Sequence, residues 1–359
     1  MKVMIAMSGG VDSSVAAYEL KKKGYDVVGM TMRTWDAGAD AGERDDKFCC
    51  SEEAVTRAAA VCARLGMIHR VVDLSREFEE EVKSYFAKEY SAGRTPNPCI
   101  ICNTRLKFGR LFSEAKKLGA EKIATGHFAR IIEKQGEHLL CTGADSAKDQ
   151  SYFLYALPRN ILRSIVFPLG EITKEKVRRI ASERGFVSAG TPSSQDICFA
   201  PGNGGYRKYL EDLGYASHGP GKILDSSGRI LGTHKGVSHY TVGQRQGLGV
   251  AMGRPVYVIS IDPVKNLVVV GPREEAMKRE VLVTGLNWLL RDPPSENMSL
   301  RVKIRYASDK AKADLSFRGK GGVRIKFREP QFAPSPGQAA VFYDGEVVAG
   351  GGWIEKVPG

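Results

Sequence analysis

The sequence predicts an α/β protein with a Rossmann-like parallel-sheet domain, a small central α+β domain and a C-terminal antiparallel β-barrel. Three observations carry that reading. Apolar runs and amphipathic stretches alternate through the first 200 residues, the signature of βαβ units. After residue 200 the segments shorten and are separated by Gly and Pro. From about Val281 nearly every segment alternates with period two, which suggests a barrel or sandwich. Borders are expected near 200 and 276, giving segments 1–200, 201–275 and 276–359.

In chain order, Lys2–Met7 is a short apolar run and reads as a buried strand, and Val11–Lys23 reads as a helix. Asp26–Met32 is again a strand. Ser51–Leu65 reads as a helix with Ser51 as N-cap and Glu52 and Glu53 favourably placed in the first turn. A strand at Ile68–Asp73, helices at Glu77–Tyr90 and Arg105–Leu118, and a strand at Lys122–Thr125 complete the alternation. Two stretches break it. Thr34–Lys47 is rich in Ala, Gly and Asp and reads as a mobile loop. Gly93–Cys102 carries two prolines and cannot be helical throughout. Further on, Tyr206–Leu213 reads helical. Gly253–Asp262, Leu267–Val270, Val281–Leu286, Ser299–Tyr306, Val323–Phe327 and Ala339–Tyr343 read as strands.

Composition bounds the function. The chain has 359 residues, with 53 Lys and Arg against 41 Asp and Glu, a net charge of +12. Hydrophobic residues make up 42% and charged residues 26%, a globular composition that excludes wholesale disorder. No run approaches the roughly 18 apolar residues of a spanning helix, so no membrane association is expected. The first apolar stretch is too short for a signal-peptide core. Seven Cys in so long a chain do not make a disulfide scaffold, and a reducing cytoplasm is the expected compartment. Positive charge is densest after residue 276, which favours a polyanionic partner.

The motif with the most chemistry is Ser8-Gly9-Gly10-Val11-Asp12-Ser13-Ser14, which follows a strand and opens a helix. Adjacent glycines allow a sharp turn and close backbone approach to a ligand. The unsatisfied N–H groups of the helix's first turn point at that ligand with a favourable dipole. Ser8, Ser13 and Ser14 are expected to add hydroxyl donors. The loop is neither the Walker type, because no Gly-Lys-Ser/Thr follows, nor the G-x-G-x-x-G dinucleotide type. It resembles the loop of the pyrophosphatase-loop enzymes, which transfer AMP from ATP to a substrate oxygen.

Cys99-Ile100-Ile101-Cys102 is a single CxxC, and Cys198 lies in a second cysteine segment, Ser193–Phe199. Two readings stay open on these residues. One is a sulfur relay, in which one thiolate carries a persulfide and a second thiol helps release its terminal sulfur. The other is an iron–sulfur cluster held by Cys99, Cys102 and Cys198, with one open iron. A zinc site is disfavoured because it usually takes two such pairs. Cys62 and Cys141 read as core residues, and the vicinal Cys49-Cys50 as structural.

Six motifs in order extend the likeness to almost the whole chain: SGGVDSS at 8–14, GRTPNPCIICN at 93–103, ATGHFAR at 124–130, KDQSYFL at 148–154, SSQDICF at 193–199 and GTHKGVSHYTVGQRQGLG at 232–249. Together they resemble the tRNA-specific 2-thiouridylases, the MnmA/TrmU sulfurtransferases. The resemblance implies ATP-dependent replacement of the C2 oxygen of a wobble uridine by sulfur, in tRNAs such as those for Lys, Glu and Gln. ATP would adenylate that oxygen with Mg²⁺ on the pyrophosphate, and a persulfide relay protein or cysteine desulfurase would supply the sulfur. By motif, Cys102 would be the catalytic thiol and Cys198 the persulfide carrier, with a disulfide among the states implied. Ala6, Met7, Ser8, Gly9, Gly10, Val11, Asp12, Ser13, Met32 and Gly126 would hold ATP. His127, Lys148, Asp149 and Gln150 would contact tRNA near the reacting base. Arg305, Tyr306 and Gln338 would touch it more remotely.

Two departures stand out. Some members carry Asp where this chain has Cys99, and many have Lys-Asp-Ser where this chain has Pro192-Ser193-Ser194. Two other functions would fit less of the chain. An amide-type ligase using the same loop would leave the cysteines idle. A non-catalytic tRNA-binding protein would use ATP only to order itself.

Overall fold

The computed structural model describes residues 1–35, 51–187, 197–200, 205–212, 214–215, 219–250, 252–290, 297–318 and 322–358. The chain divides into two compact units. One comprises Met1–Val82, Cys99–Asn203 and Glu346–Val348; the other comprises Lys83–Pro98, Gly204–Gly345 and Ala349–Gly359.

The first unit is built on a five-stranded parallel sheet. Its strands are β1 (Lys2–Ala6), β2 (Asp26–Arg33), β3 (His69–Asp73), β4 (Lys122–Ala124) and, at the far edge, β7 (Ile165–Val166), in the order β3-β2-β1-β4-β7. β1 is central, and Val3, Met4 and Ile5 have no exposed surface. An uninterrupted apolar run is what a strand covered on both faces requires. Helix α1 (Val11–Lys22) presents Val15, Ala16, Ala17 and Leu20 to the core beside Val3 and Ile5 of the sheet. The small alanines bring the helix close to the strands. Helix α2 (Glu52–Arg64) begins at Ser51, whose Oγ accepts from the Ala54 N–H at 3.2 Å, the cap its sequence predicts. β2 lies on one side of β1 and β4 on the other. The end of β1 is therefore the point where chain order reverses, the usual ligand position in such sheets.

The helices after β3 depart from the sequence reading. α3 (Ser75–Glu77) leads into a π-helical stretch, Phe78–Lys83, and then α4 (Ser84–Ser91). The next helix starts seven residues earlier than Arg105, with Pro98 in the first turn of α5 (Pro98–Ile101). Proline suits that position because its missing N–H has no intrahelical acceptor there. The chain then runs through ten π-helical residues, Cys102–Leu111, into α6 (Phe112–Lys117). The hairpin β5 (Ala129–Lys134) and β6 (Glu137–Thr142) follows β4. Residues 346–348 return to this unit, where Val347 pairs with Cys141. Helix α7 (Lys174–Glu183) is capped by Thr173 Oγ1. It packs Val177 and Ala181 into the same core as α1.

The second unit contains α8 (Gly205–Asp212) and a four-stranded sheet. That sheet comprises β8 (Gly221–Asp225), β9 (Ile230–His234), β10 (Tyr257–Asp262) and β11 (Leu267–Gly271), in the order β10-β11-β8-β9. It also contains a barrel of β12 (Met277–Trp288), β13 (Met298–Lys303), β14 (Ala311–Arg318), β15 (Gly322–Phe332), β16 (Ala339–Asp344) and β17 (Val347–Lys356). The order β12-β15-β14-β13-β16-β17 closes through antiparallel pairing of β12 with β17, which leaves no open edge between them. Val281, Val283, Val302, Leu315, Ile325, Phe342 and Ile354 fill its interior. Residues 83–98 belong with this unit: Tyr90 stacks on Tyr206 with ring centroids 4.4 Å apart, and Ser335 Oγ donates to Thr95 Oγ1 at 2.8 Å.

The Thr34–Lys47 loop beyond Trp35, Cys49, Cys50 and the run Pro192–Asp196 lie outside the described residues.

Candidate active site

The turn after β1 is set by backbone crowding. Gly9 has φ +69°, and a Cβ on it would lie 2.2 Å from the Ala54 carbonyl oxygen of α2. Only glycine fits there. Gly10 precedes α1 in an extended conformation and supplies no side-chain cap to the first-turn N–H groups. Gly126, at the end of β4, backs directly onto the loop: a Cβ on it would meet the Asp12 carbonyl carbon at 2.8 Å and the Ser13 nitrogen at 2.9 Å.

The serine hydroxyls bond within the loop. Ser13 Oγ accepts from the Ser8 N–H at 3.2 Å and donates to the Gly10 carbonyl at 3.0 Å. Ser14 Oγ also donates to the Gly10 carbonyl, at 2.9 Å, and Ser14 is fully buried. The hydroxyls shape the cradle, and the backbone N–H groups are left to face an anion.

Ala6 ends β1 half-buried, and Met7 and Val11 are buried beside the core. The Met7 N–H donates to the Met30 carbonyl, which ties the loop's entry to β2. Thr31 Oγ1 donates to the Met7 carbonyl at 2.8 Å and lies 2.8 Å from His69 Nε2. Burial lowers the His69 pKa, favouring the neutral ring. Met32, next along β2, is buried.

Asp12 makes an ion pair that sequence reasoning missed. Its carboxylate accepts from Nζ of Lys174, a lysine only 6% exposed at the start of α7. The Lys174 N–H donates to Asp145 Oδ2 at 2.9 Å, and Nζ sits 5.6 Å from the centroid of the Phe128 ring. The signal in the sequence was Thr173 followed by an amphipathic stretch, which marks a helix start but not the lysine's partner 162 positions away.

The cysteine segment occupies the same unit. Cys99 is exposed, and Cys102, the first π-helical residue, is half-buried. Extra residues in a helical turn re-aim the side chains beside them, and such stretches often mark functional sites. Asn103 is buried, donating from Nδ2 to the Phe153 carbonyl at 3.2 Å and accepting from Lys107 Nζ at 3.0 Å. Cys198 is half-buried, and the adjacent Phe199 meets Phe78 edge-on at 5.6 Å. Cys62 and Cys141 are core residues, as their sequence context predicts, and burial pushes each thiol up to about 11. Among the described residues, no three His, Cys, Asp or Glu side chains gather as a metal-holding group.

The segment after Gly126 is held by its own polar groups. Thr125 Oγ1 lies 2.7 Å from His127 Nδ1, and the His127 ring sits near Phe108 and Phe167. Burial, with Lys107 nearby, holds the His127 pKa well below the usual histidine range. Asp149 is buried: Oδ1 accepts from the Gly143 and Ser151 N–H groups, each at 3.1 Å, and Oδ2 from Ser151 Oγ at 2.9 Å. Gln150 Oε1 accepts from the Phe128 N–H at 3.0 Å. Asp149 and Gln150 thus build the loop that presents the half-buried Lys148.

In the second unit, Arg305 donates from one guanidinium nitrogen to the Val242 and Ala333 carbonyls, at 2.7 and 2.8 Å. Gln338 Nε2 donates to the Thr95 carbonyl at 3.0 Å and the Pro96 carbonyl at 3.3 Å. These side chains have internal work. Tyr306 is 38% exposed, with Lys303 Nζ 5.3 Å from its ring centroid. That pair offers a charge and a stacking face.

Known proteins match along nearly the full length. Residues 1–202 match the family model described as the tRNA methyl transferase HUP domain, 207–272 the tRNA methyl transferase PRC-barrel domain, and 278–354 the aminomethyltransferase beta-barrel domain. The chain is 45% identical over 355 residues to the tRNA-specific 2-thiouridylase MnmA of Acidithiobacillus ferrooxidans, covering 99% of this chain and 98% of that one. It is 45% identical over 357 residues to the protein of the same name from Carboxydothermus hydrogenoformans, with the same coverage. The Clostridium perfringens protein is 44% identical over 356 residues, covering 99% of each chain. The chain belongs to the tRNA-specific 2-thiouridylase family.

Proposed function

We propose that the protein is an ATP-dependent tRNA sulfurtransferase that converts the C2 oxygen of a wobble uridine to sulfur. The observation that carries this is one compact unit holding both an anion cradle at the sheet's switch point and the paired cysteine segments. The named relatives are 2-thiouridylases, which fits that pairing.

Adenylation comes first. The uridine O2 attacks the α-phosphorus of ATP, the bond to the β-phosphate oxygen breaks, and pyrophosphate leaves. The N–H groups at the start of α1 face the phosphates, and Met32 packs near the nucleoside. The sulfur step follows. The terminal sulfur of a Cys198 persulfide attacks C2, and the C2–O bond breaks with AMP as leaving group. The Cys102 thiolate then attacks the Cys198 sulfur, which leaves the thiocarbonyl on the base and a Cys102–Cys198 disulfide. A thiol reductant returns both residues to thiols. The base must leave its stack for this chemistry, as in other enzymes that act on a single base.

Mg²⁺ would arrive with ATP, on its phosphate oxygens. The tRNA phosphates would meet Lys148 on one unit and the Lys303–Tyr306 pair on the other. The sulfur would come from a relay protein or a desulfurase, reaching an exposed cysteine segment. Working borders for the three domains stay near 200 and 276. Among the described residues no helix is long and apolar enough to cross a membrane, and we place the protein in the cytoplasm with its tRNA substrates.

The test is thiolation of unmodified tRNA transcript by Cys198→Ser. This reading expects no thiouridine while tRNA binding stays near wild type. Loss of tRNA binding in that variant would remove the relay role.

A further inference from the structure

We propose that the barrel loop 335–338, through Ser335 and Gln338, is a positioning element for the sulfur step: it fixes Thr95 and Pro96, and through them the start of the helix that carries Cys102. The inference goes beyond the sulfurtransferase reading above and rests on it.

One residue is gripped by one loop at every polar group it has. The Thr95 N–H donates to the Pro336 carbonyl at 2.8 Å. Its hydroxyl accepts from Ser335 Oγ at 2.8 Å, and both residues are buried. Its carbonyl accepts from Gln338 Nε2 at 3.0 Å, and the second N–H of that amide reaches the Pro96 carbonyl at 3.3 Å. Both partners of the Gln338 amide are acceptors, so only its nitrogen can face them. Between these residues, Gly337 has φ +87°, and a Cβ on it would lie 3.0 Å from the Thr95 nitrogen and from its carbonyl oxygen. The loop therefore presses directly on the 95–96 backbone. An apolar contact would hold the two segments together without choosing an orientation; a set of buried hydrogen bonds selects one.

Both ends of this grip are stiff. On the barrel side, the Gly337 N–H donates to the Ile354 carbonyl and the Ile354 N–H to the Gln338 carbonyl, which ties the loop to β17. Arg94 adds a second tie, pairing with Glu89 at 2.8 Å and with Glu355 of β17 at 3.3 Å. On the cysteine side, Thr95-Pro96 and Asn97-Pro98 are two X-Pro pairs in succession, which restricts both partners of each pair. An orientation imposed at Thr95 reaches Pro98 with little slack. Pro98 is the last residue of this stretch of the second unit, and the chain enters the first unit at Cys99. Pro98 opens α5, and Cys102 is the first residue of the π-helical stretch that follows. Small displacements of a reacting group are costly, so the residues that aim its helix matter as much as its neighbours.

The test uses the full chain and Gln338→Met, which keeps the side chain's length and removes both N–H donors. The first readout needs no RNA: hydrogen exchange read by peptide mass spectrometry. Amides in residues 97–104 should exchange about tenfold faster than in wild type, with peptides from β13–β15 unchanged. Gln338→Glu, which turns oxygen lone pairs toward the same carbonyls, should accelerate that segment further. Faster exchange throughout the barrel, or none in 97–104, would overturn the proposal.

The second readout separates the steps. In single turnover, tRNA affinity and pyrophosphate release should each stay within about twofold of wild type, while sulfur transfer slows about tenfold. Ser335→Ala should show the same pattern more weakly. Lost tRNA affinity with normal sulfur transfer at saturating tRNA would make Gln338 an RNA contact and overturn the positioning role. Wild-type protein that forms no thiouridine would overturn the sulfurtransferase reading, and the exchange comparison would still decide whether the loop fixes the helix start.

Discussion

The phosphate loop and the cysteine segment lie on the same unit and are built in opposite ways. The loop is pinned by backbone: Gly9 under the Ala54 carbonyl, Gly126 against Asp12 and Ser13, and serine hydroxyls turned inward to Gly10. The cysteine segment starts with an exposed Cys99 and runs into ten π-helical residues. Under the proposed function, the difference follows from two tasks. Transfer of AMP requires a cradle preorganised before the nucleotide arrives. Receiving sulfur from another protein requires a thiol that can be reached.

The sharpest break of this contrast is at Gly9. Gly9→Ala would force a Cβ onto the Ala54 carbonyl at a positive φ. We expect a loss of about 2–4 kcal/mol in stability, read by denaturant unfolding, together with loss of ATP binding. Gly10→Ala is the control. Its φ is −89° and its added Cβ would meet only Ser8 Oγ, at 3.5 Å. It should stay within about 1 kcal/mol of wild type.

The cysteine segment should respond to chemistry rather than to packing. Cys102→Ala and Cys198→Ser should each lower thiolation more than about a hundredfold while leaving the unfolding midpoint nearly unchanged, since neither thiol is in the core. Cys99→Ser should keep most of the activity. Activity lost equally in all three would favour a shared three-thiolate ligand set.

Within the 148–150 loop, Asp149 and Lys148 should separate. Asp149→Ala would strand two backbone N–H groups and a buried hydroxyl, at a cost of about 2–3 kcal/mol. Lys148→Ala should leave stability alone and weaken tRNA binding a few-fold, with a shallower salt dependence measured by filter binding.

The smallest effect is in pH. Burial lowers the pKa of His69, His127 and His239. The unfolded chain then binds protons near pH 6.5 that the folded chain refuses. Stability should be complete above that pH and fall as the pH drops below it toward the folded values. His127→Gln should flatten the slope.

Much of this was legible in the sequence, for physical reasons. Lys2–Ala6 and Asp26–Arg33 are apolar runs that only a doubly covered strand needs. Ser51 announced its helix by cap chemistry. The strand Val347–Lys356 escaped notice because three successive glycines interrupt its alternation, whereas Ala311–Arg318 alternates regularly and was overlooked. Their place is set by barrel closure between segments far apart in the chain. The π-helical stretches carry no periodic signal of their own. Motifs located the candidate residues but not their occupations: Asp149, Gln150, Arg305 and Gln338 are engaged in internal hydrogen bonds. Lys174 was invisible because its meaning lies in a contact with Asp12, not in its neighbours.

The central claim is that sulfur reaches tRNA through a cysteine persulfide once ATP has activated the base. The direct measurement is a single-turnover assay under argon. Chain preloaded with radiolabelled persulfide and analysed for iron is mixed with unmodified tRNA, with and without ATP. The account expects iron-free protein to pass its label to the tRNA only when ATP is present, and to end with Cys102 and Cys198 oxidised. Transfer that requires bound iron, or that proceeds unchanged in Cys198→Ser, would contradict it.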